Sequence, residues 1–128
     1  MADIEALKYL ESHEWIAIDG NKARVGISDH AQREISDVVF IELPVVGKDV
    51  VQKESCMVIE SVKAAFDIYS PVSGKVTQVN ALLSDEPQLV NDSPFEGGWL
   101  FEVELSNPEE LENLMDHTTY EGFKTKAH

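Results

Sequence analysis

Apolar and polar positions along this chain repeat mostly with the period of β-strands, and turn residues interrupt the runs at short intervals. Trp15-Ile16-Ala17-Ile18 and Ala23-Arg24-Val25-Gly26-Ile27 flank Asp19-Gly20. An Asp-Gly pair between apolar runs supplies the positive backbone angles of a tight turn, so these runs predict a β-hairpin. Val38-Val39-Phe40-Ile41-Glu42-Leu43 is β-branched and aromatic and stops at Pro44, which predicts another strand. Ser55 to Ser61, Phe66 to Tyr69 and Lys75 to Asn80 read as further short strands. Trp99, Phe101, Val103 and Leu105 alternate with Leu100, Glu102 and Glu104, which predicts a strand with one apolar and one mostly polar face.

Two stretches carry helical spacing. Ser28 or Asp29 can cap a short helix whose Ala31 and Ile35 fall on one face. Near the C-terminus, Asn107 can cap a helix, Pro108 fits its first position, and Glu110 can close a capping box. Leu111, Leu114 and Met115 would be its buried stripe. Beyond Asp116 the pattern weakens, and residues 118–128 read as a loose tail. The expectation is a single domain over residues 1–128 with a core from about 7 to 115.

One internal repeat stands out. Pro44-Val45-Val46-Gly47-Lys48 recurs 27 residues later as Pro71-Val72-Ser73-Gly74-Lys75. A repeated strand-and-turn unit suggests two similar half-sheets packed face to face. Between the copies lies Glu60-Ser61-Val62-Lys63-Ala64-Ala65-Phe66, with strand-like residues on both sides. The simplest geometry is a hairpin whose tip presents Lys63. Val62, Ala64 and Ala65 are small or apolar, which is unusual in an exposed turn and leaves low bulk near the amine.

Charge narrows the partners. With 24 Asp and Glu against 10 Lys and Arg, the 128-residue chain has a formal net charge of -14. Such a surface repels nucleic acid and anionic membranes and suits docking onto basic patches of proteins. Cys56, the single cysteine, excludes an internal disulfide and reads as a small buried hydrophobe. No apolar run approaches membrane-spanning length, and Met1-Ala2-Asp3-Ile4-Glu5 lacks the features of a signal or transit peptide. A cytoplasmic protein is expected, or a mitochondrial matrix protein without its transit peptide. His13, His30, His117 and His128 are scattered, no nucleophile has an identifiable base, and no metal site is expected.

Glu60-Ser61-Val62-Lys63-Ala64 resembles the lipoylation motif of glycine cleavage H proteins. Ser12-His13-Glu14-Trp15, Val25-Gly26-Ile27, Asp37 to Pro44, Asp67 to Gly74, Val79-Asn80, Leu89-Val90-Asn91 and Gly98-Trp99 also fall where that family has similar segments. Together they span about Leu7 to Leu114, and their ordered combination is specific. There are departures. Phe66 stands where the family usually has a small residue beside the hairpin, Ile35-Ser36 replaces a common Leu-Gly, and Cys56-Met57 is bulkier than usual. Phe66 is the departure expected to alter how a partner approaches.

The resemblance implies a mainly β fold, a flattened barrel or sandwich of two quasi-symmetric sheets with short helices. It implies lipoic acid in amide linkage to Lys63, with Glu60, Ser61, Val62 and Ala64 forming the recognition hairpin. A cleft of Ser12, Glu14 and Asp67 would hold the loaded arm. The partners implied are glycine decarboxylase, aminomethyltransferase, dihydrolipoyl dehydrogenase, and a lipoate ligase or octanoyl transferase. The chain would be a monomeric, non-catalytic shuttle. The alternative is a lipoyl-relay protein that delivers lipoate to other complexes. A biotin carrier would place methionines beside the lysine, where Val62 and Ala64 stand here. Lipoyl domains of 2-oxoacid dehydrogenases usually have an acid before the lysine and lack the His13-Glu14-Trp15 start.

Overall fold

A computed structural model describes residues 4–126. Nine strands appear in chain order: β1 (Lys8–Tyr9), β2 (Glu14–Asp19), β3 (Lys22–Ile27), β4 (Val38–Glu42), β5 (Asp49–Val50), β6 (Ser55–Ser61), β7 (Ala65–Tyr69), β8 (Gly74–Val79) and β9 (Phe101–Leu105). The helices are α1 (Asp29–Ile35), α2 (Leu89–Asp92) and α3 (His117–Lys126), with 3-10 turns at Ile4–Ala6, Ala81–Ser84 and Pro108–Asn113. The strands form an antiparallel six-stranded sheet, β1-β2-β3-β9-β8-β5, and a three-stranded sheet, β4-β6-β7. The architecture is an unequal sandwich, not a closed barrel.

The Asp19-Gly20 turn forms as the sequence predicts, with Gly20 at φ 64 and Asp19 opposite Lys22. Alternation explains the main core. Ile16, Val25, Ile59, Phe101 and Val103 are each fully buried and belong to one cluster with Ile35, Ile41 and Ile68. Ser28 is the cap of α1, accepting the Ala31 N–H on its Oγ at 3.2 Å, and Ala31 and Ile35 are buried as their spacing predicts.

The repeat has a structural meaning. Both copies carry the chain from the smaller sheet to the larger, the first from β4 to β5 and the second from β7 to β8. The copies then meet side by side. Gly47 N–H donates to Val76 O at 2.8 Å, Val76 N–H to Lys48 O at 2.9 Å, and Val50 pairs with Gly74. Gly74 is required for a close approach, since a Cβ there would lie 2.0 Å from the Glu104 carbonyl oxygen.

Three readings change. The strand near residue 100 begins at Phe101, and Leu100 is fully buried rather than on the polar face. Its N–H still bonds Val25 O at 2.8 Å, but Trp99 has left the ladder to pack on a second cluster. The Asn107 segment is a 3-10 turn without a side-chain cap. Glu110 closes no capping box, because its carboxylate accepts from Ser73 N–H at 2.8 Å and Ser73 Oγ at 2.7 Å. Of the expected stripe Leu114 is buried, while Leu111 and Met115 are half-buried.

The tail from Thr118 is helix to Lys126; Ala127 and His128 lie outside the described residues. Its order comes from Tyr120, 1% exposed, whose ring stacks on Tyr9 at 4.0 Å between centroids. Leu7, Tyr9, Trp15 and Tyr120 make a second core, with Phe95, Trp99, Met115 and Phe123 against it. A short helix of this kind is ordered by packing, not by its own propensity.

Candidate functional site

The β6–β7 hairpin places Lys63 at its tip. Ser61 shapes the turn: its N–H donates to Ala64 O at 2.9 Å, and its Oγ accepts from Lys63 N–H at 3.0 Å and Ala64 N–H at 3.3 Å. A serine hydroxyl bonded to backbone two and three residues on holds a turn without a glycine. Val62 N–H donates to Asp37 O at 2.9 Å, which ties the tip to the start of β4. The Val62 side chain is turned outward, 68% exposed. Lys63 is exposed, and its Nζ donates to the Glu34 carbonyl at 3.2 Å near the C-terminal end of α1. That carbonyl is one of those a helix leaves unsatisfied at its end.

The residues expected to form the recognition hairpin, Glu60, Ser61, Val62, Lys63 and Ala64, are gathered in one turn and the last positions of β6. Phe66 is half-buried opposite Ile59, with its ring packed against the main core. It thus anchors the hairpin inward as well as adding bulk beside it.

The residues expected to line an arm cleft are brought together only in part. Glu14 begins β2 and is 1% exposed. Its Oε1 accepts from Ser12 Oγ at 2.5 Å, and its Oε2 accepts from Tyr69 N–H at 2.9 Å. Burial pushes its pKa up to about 7, against the opposing effect of the Ser12 and Tyr69 hydrogen bonds. Asp67 is exposed on β7 and accepts from Ser55 Oγ at 3.1 Å. It lies two residues from Tyr69 on the same strand face, roughly 7 Å away along the strand. A surface hollow of about 300 Å³ runs beside Ser12, lined also by Leu10, Glu11, Lys53 and Tyr69. The Glu14 carboxylate thus lies at a buried junction between the sheets, and Asp67 stands at the surface beyond Tyr69.

Sequence reasoning missed Tyr69, Lys53 and the carbonyls of Glu34 and Asp37. No residue type signals a backbone oxygen, and Tyr69 takes part through its N–H.

The family model for glycine cleavage H-protein matches residues 7–127 of the chain. The chain belongs to the glycine cleavage H-protein family. Among its relatives, glycine cleavage system H protein 2, mitochondrial, of Arabidopsis thaliana is 56% identical over 120 residues, covering 94% of this chain and 77% of the relative. The glycine cleavage system H protein of Endomicrobium trichonymphae is 50% identical over 116 residues, covering 91% and 94%. The crystal structure of a glycine cleavage system H protein from Mycobacterium marinum superimposes with a TM-score of 0.86 at 32% identity, covering 94% of this chain and 98% of that one. For an H-protein family member, no described helix is long and apolar enough to cross a membrane.

Proposed function

We propose that this chain is the lipoyl-carrying shuttle of the glycine cleavage system, with the lipoyl group in amide linkage to Lys63. The observation that carries the site is the serine-pinned tip: an exposed primary amine in a fixed backbone turn, flanked by Val62, Ala64 and Ala65. The lysine fits acylation. It forms no ion pair among the described residues, and its single hydrogen bond to the Glu34 carbonyl is solvent-exposed and easily given up. Acylation removes its charge, and the bound group supplies a cyclic disulfide that accepts an aminomethyl unit. The chain's own part is to present, orient and shelter that arm.

The partners follow from this role: glycine decarboxylase, aminomethyltransferase and dihydrolipoyl dehydrogenase, each met in turn, and a lipoate ligase or octanoyl transferase acting on the tip. Tethering keeps the reacting group at high local concentration for each. The chain acts as a carrier, not a catalyst, and its charge of -14 favours basic docking faces over nucleic acid or membrane.

Intact mass and peptide mapping after reaction with a lipoate-protein ligase test the attachment. One lipoyl group on Lys63 is expected, and modification that persists in Lys63→Arg overturns the site. The lipoylated chain should then support glycine-dependent carbon dioxide exchange by a glycine decarboxylase. Failure with decarboxylases from several sources overturns the shuttle role and favours lipoyl relay.

A further inference from the structure

At Glu34, whose carbonyl accepts from Lys63, three side chains converge that the carrier role does not use. His30 and Glu34 are one turn apart on α1, with His30 Nε2 3.5 Å from Glu34 Oε2. His13 comes from the turn between β1 and β2, where its φ is 78. Its ring lies 4.4 Å from the His30 ring between centroids, at 36°. One ligand atom from each of His13, His30 and Glu34 lies within 4.8 Å of the other two. We propose that these three residues bind one divalent transition-metal ion, with zinc as the best fit.

The donor set supports the assignment. Two imidazoles and one carboxylate are the borderline donors that zinc takes, whereas calcium and magnesium prefer oxygen alone. Three protein ligands leave a fourth position for water. In tetrahedral zinc, bonds of about 2.0–2.1 Å place the donors roughly 3.4 Å apart. His30 and Glu34 already meet that spacing at 3.5 Å. The His13 ring is held by its neighbours, so the exposed Glu34 side chain and the His30 ring would close the remaining distance.

A second layer of contacts orients His13. Its Nδ1 is 2.7 Å from Tyr120 Oη, and Tyr120 Oη is 2.7 Å from Ser28 Oγ. Ser28 Oγ in turn accepts the Ala31 N–H that starts α1. Where Nδ1–H donates to Tyr120, Nε2 is the nitrogen that would meet the metal. A ligating histidine whose other nitrogen is held by such a partner is the usual arrangement at metal centres. Both histidines are half-buried and Glu34 is exposed, so the site is open to entry from solvent. The chain's negative field concentrates cations at its surface. Linear spacing carries no metal signal, because His13 joins the helical pair only through the tertiary fold.

The test is zinc titration of the tag-free, unlipoylated full chain at pH 7.5 by calorimetry, with wild type, His30→Phe, Glu34→Gln and His117→Ala. His30→Phe keeps an aromatic ring against His13 and so preserves the packing. One zinc per chain is expected, weakened at least tenfold by His30→Phe and by Glu34→Gln and unchanged by His117→Ala. Zinc should also raise the melting temperature of wild type and not of His30→Phe. The absence of saturable binding to wild type overturns the proposal. So does equal affinity in His30→Phe, or loss of binding in His117→Ala.

Discussion

Glu14 accepts the Tyr69 backbone N–H at 2.9 Å, a hydrogen bond that ties β2 of the larger sheet to β7 of the smaller. The carboxyl is buried and its pKa is raised from 4.5 to about 7, chiefly by desolvation. Between those values the folded chain holds a proton that the unfolded chain has lost. Stability therefore falls as pH rises through this window, with the full penalty present above about pH 7. At ~1.4 kcal/mol per pKa unit the effect is on the order of 3 kcal/mol. Glu14→Gln should remove it, so the variant should gain on wild type between pH 5 and pH 8 in urea melts. Parallel pH profiles for the two proteins would refute this reading.

The turn at the tip depends on Ser61 Oγ, which accepts from both Lys63 and Ala64. Ser61→Ala removes these bonds without changing strand pairing. Exposed neutral hydrogen bonds contribute about 0.5–1.5 kcal/mol, so kcat/KM for lipoylation of Lys63 should drop roughly 2- to 10-fold. The melting temperature should fall by no more than a few degrees. An unchanged lipoylation rate would show that the modifying enzyme imposes the turn itself.

Asp67 is proposed to hold the ammonium of the aminomethyl-loaded arm at the surface. Because Asp67 is exposed, solvent screens the interaction to about 0.2–1 kcal/mol. Asp67→Asn should release ammonia and formaldehyde from the isolated loaded protein about 2- to 5-fold faster, with Lys63 modification intact. Glu14→Gln tests the deeper carboxylate, whose two oxygens already serve Ser12 and Tyr69. Release rates equal to wild type in both variants would remove these carboxylates from the role.

Ser36 follows α1 with φ 74 and ψ -160, a region that glycine alone adopts easily. Strain of this kind costs about 1–3 kcal/mol. Ser36→Gly should therefore stabilise the protein by roughly 1 kcal/mol, less than the full strain because glycine gains freedom in the unfolded chain. Denaturant melts check it, and a loss of stability would contradict it. The position also explains why a Leu-Gly pair is the easier solution where this chain has Ile35-Ser36.

Local periodicity and motif are legible in the residues alone. The Asp19-Gly20 hairpin, the Ser28 cap, β4, β6 and the Lys63 tip are where alternation and turn chemistry put them. Side chains that alternate in or out must choose one face, and that choice is written residue by residue. Contacts between groups far apart in the chain arise only in the folded molecule. Tyr120 orders α3 because it stacks on Tyr9, more than a hundred positions away. Glu110 abandons its capping role because Ser73 offers it two donors. Glu14 is buried at a sheet junction because Tyr69 N–H and Ser12 Oγ meet it there, and Glu34 touches Lys63 through a carbonyl common to every residue type. Burial and backbone contacts arise only when the sheets close, so local pattern cannot encode them.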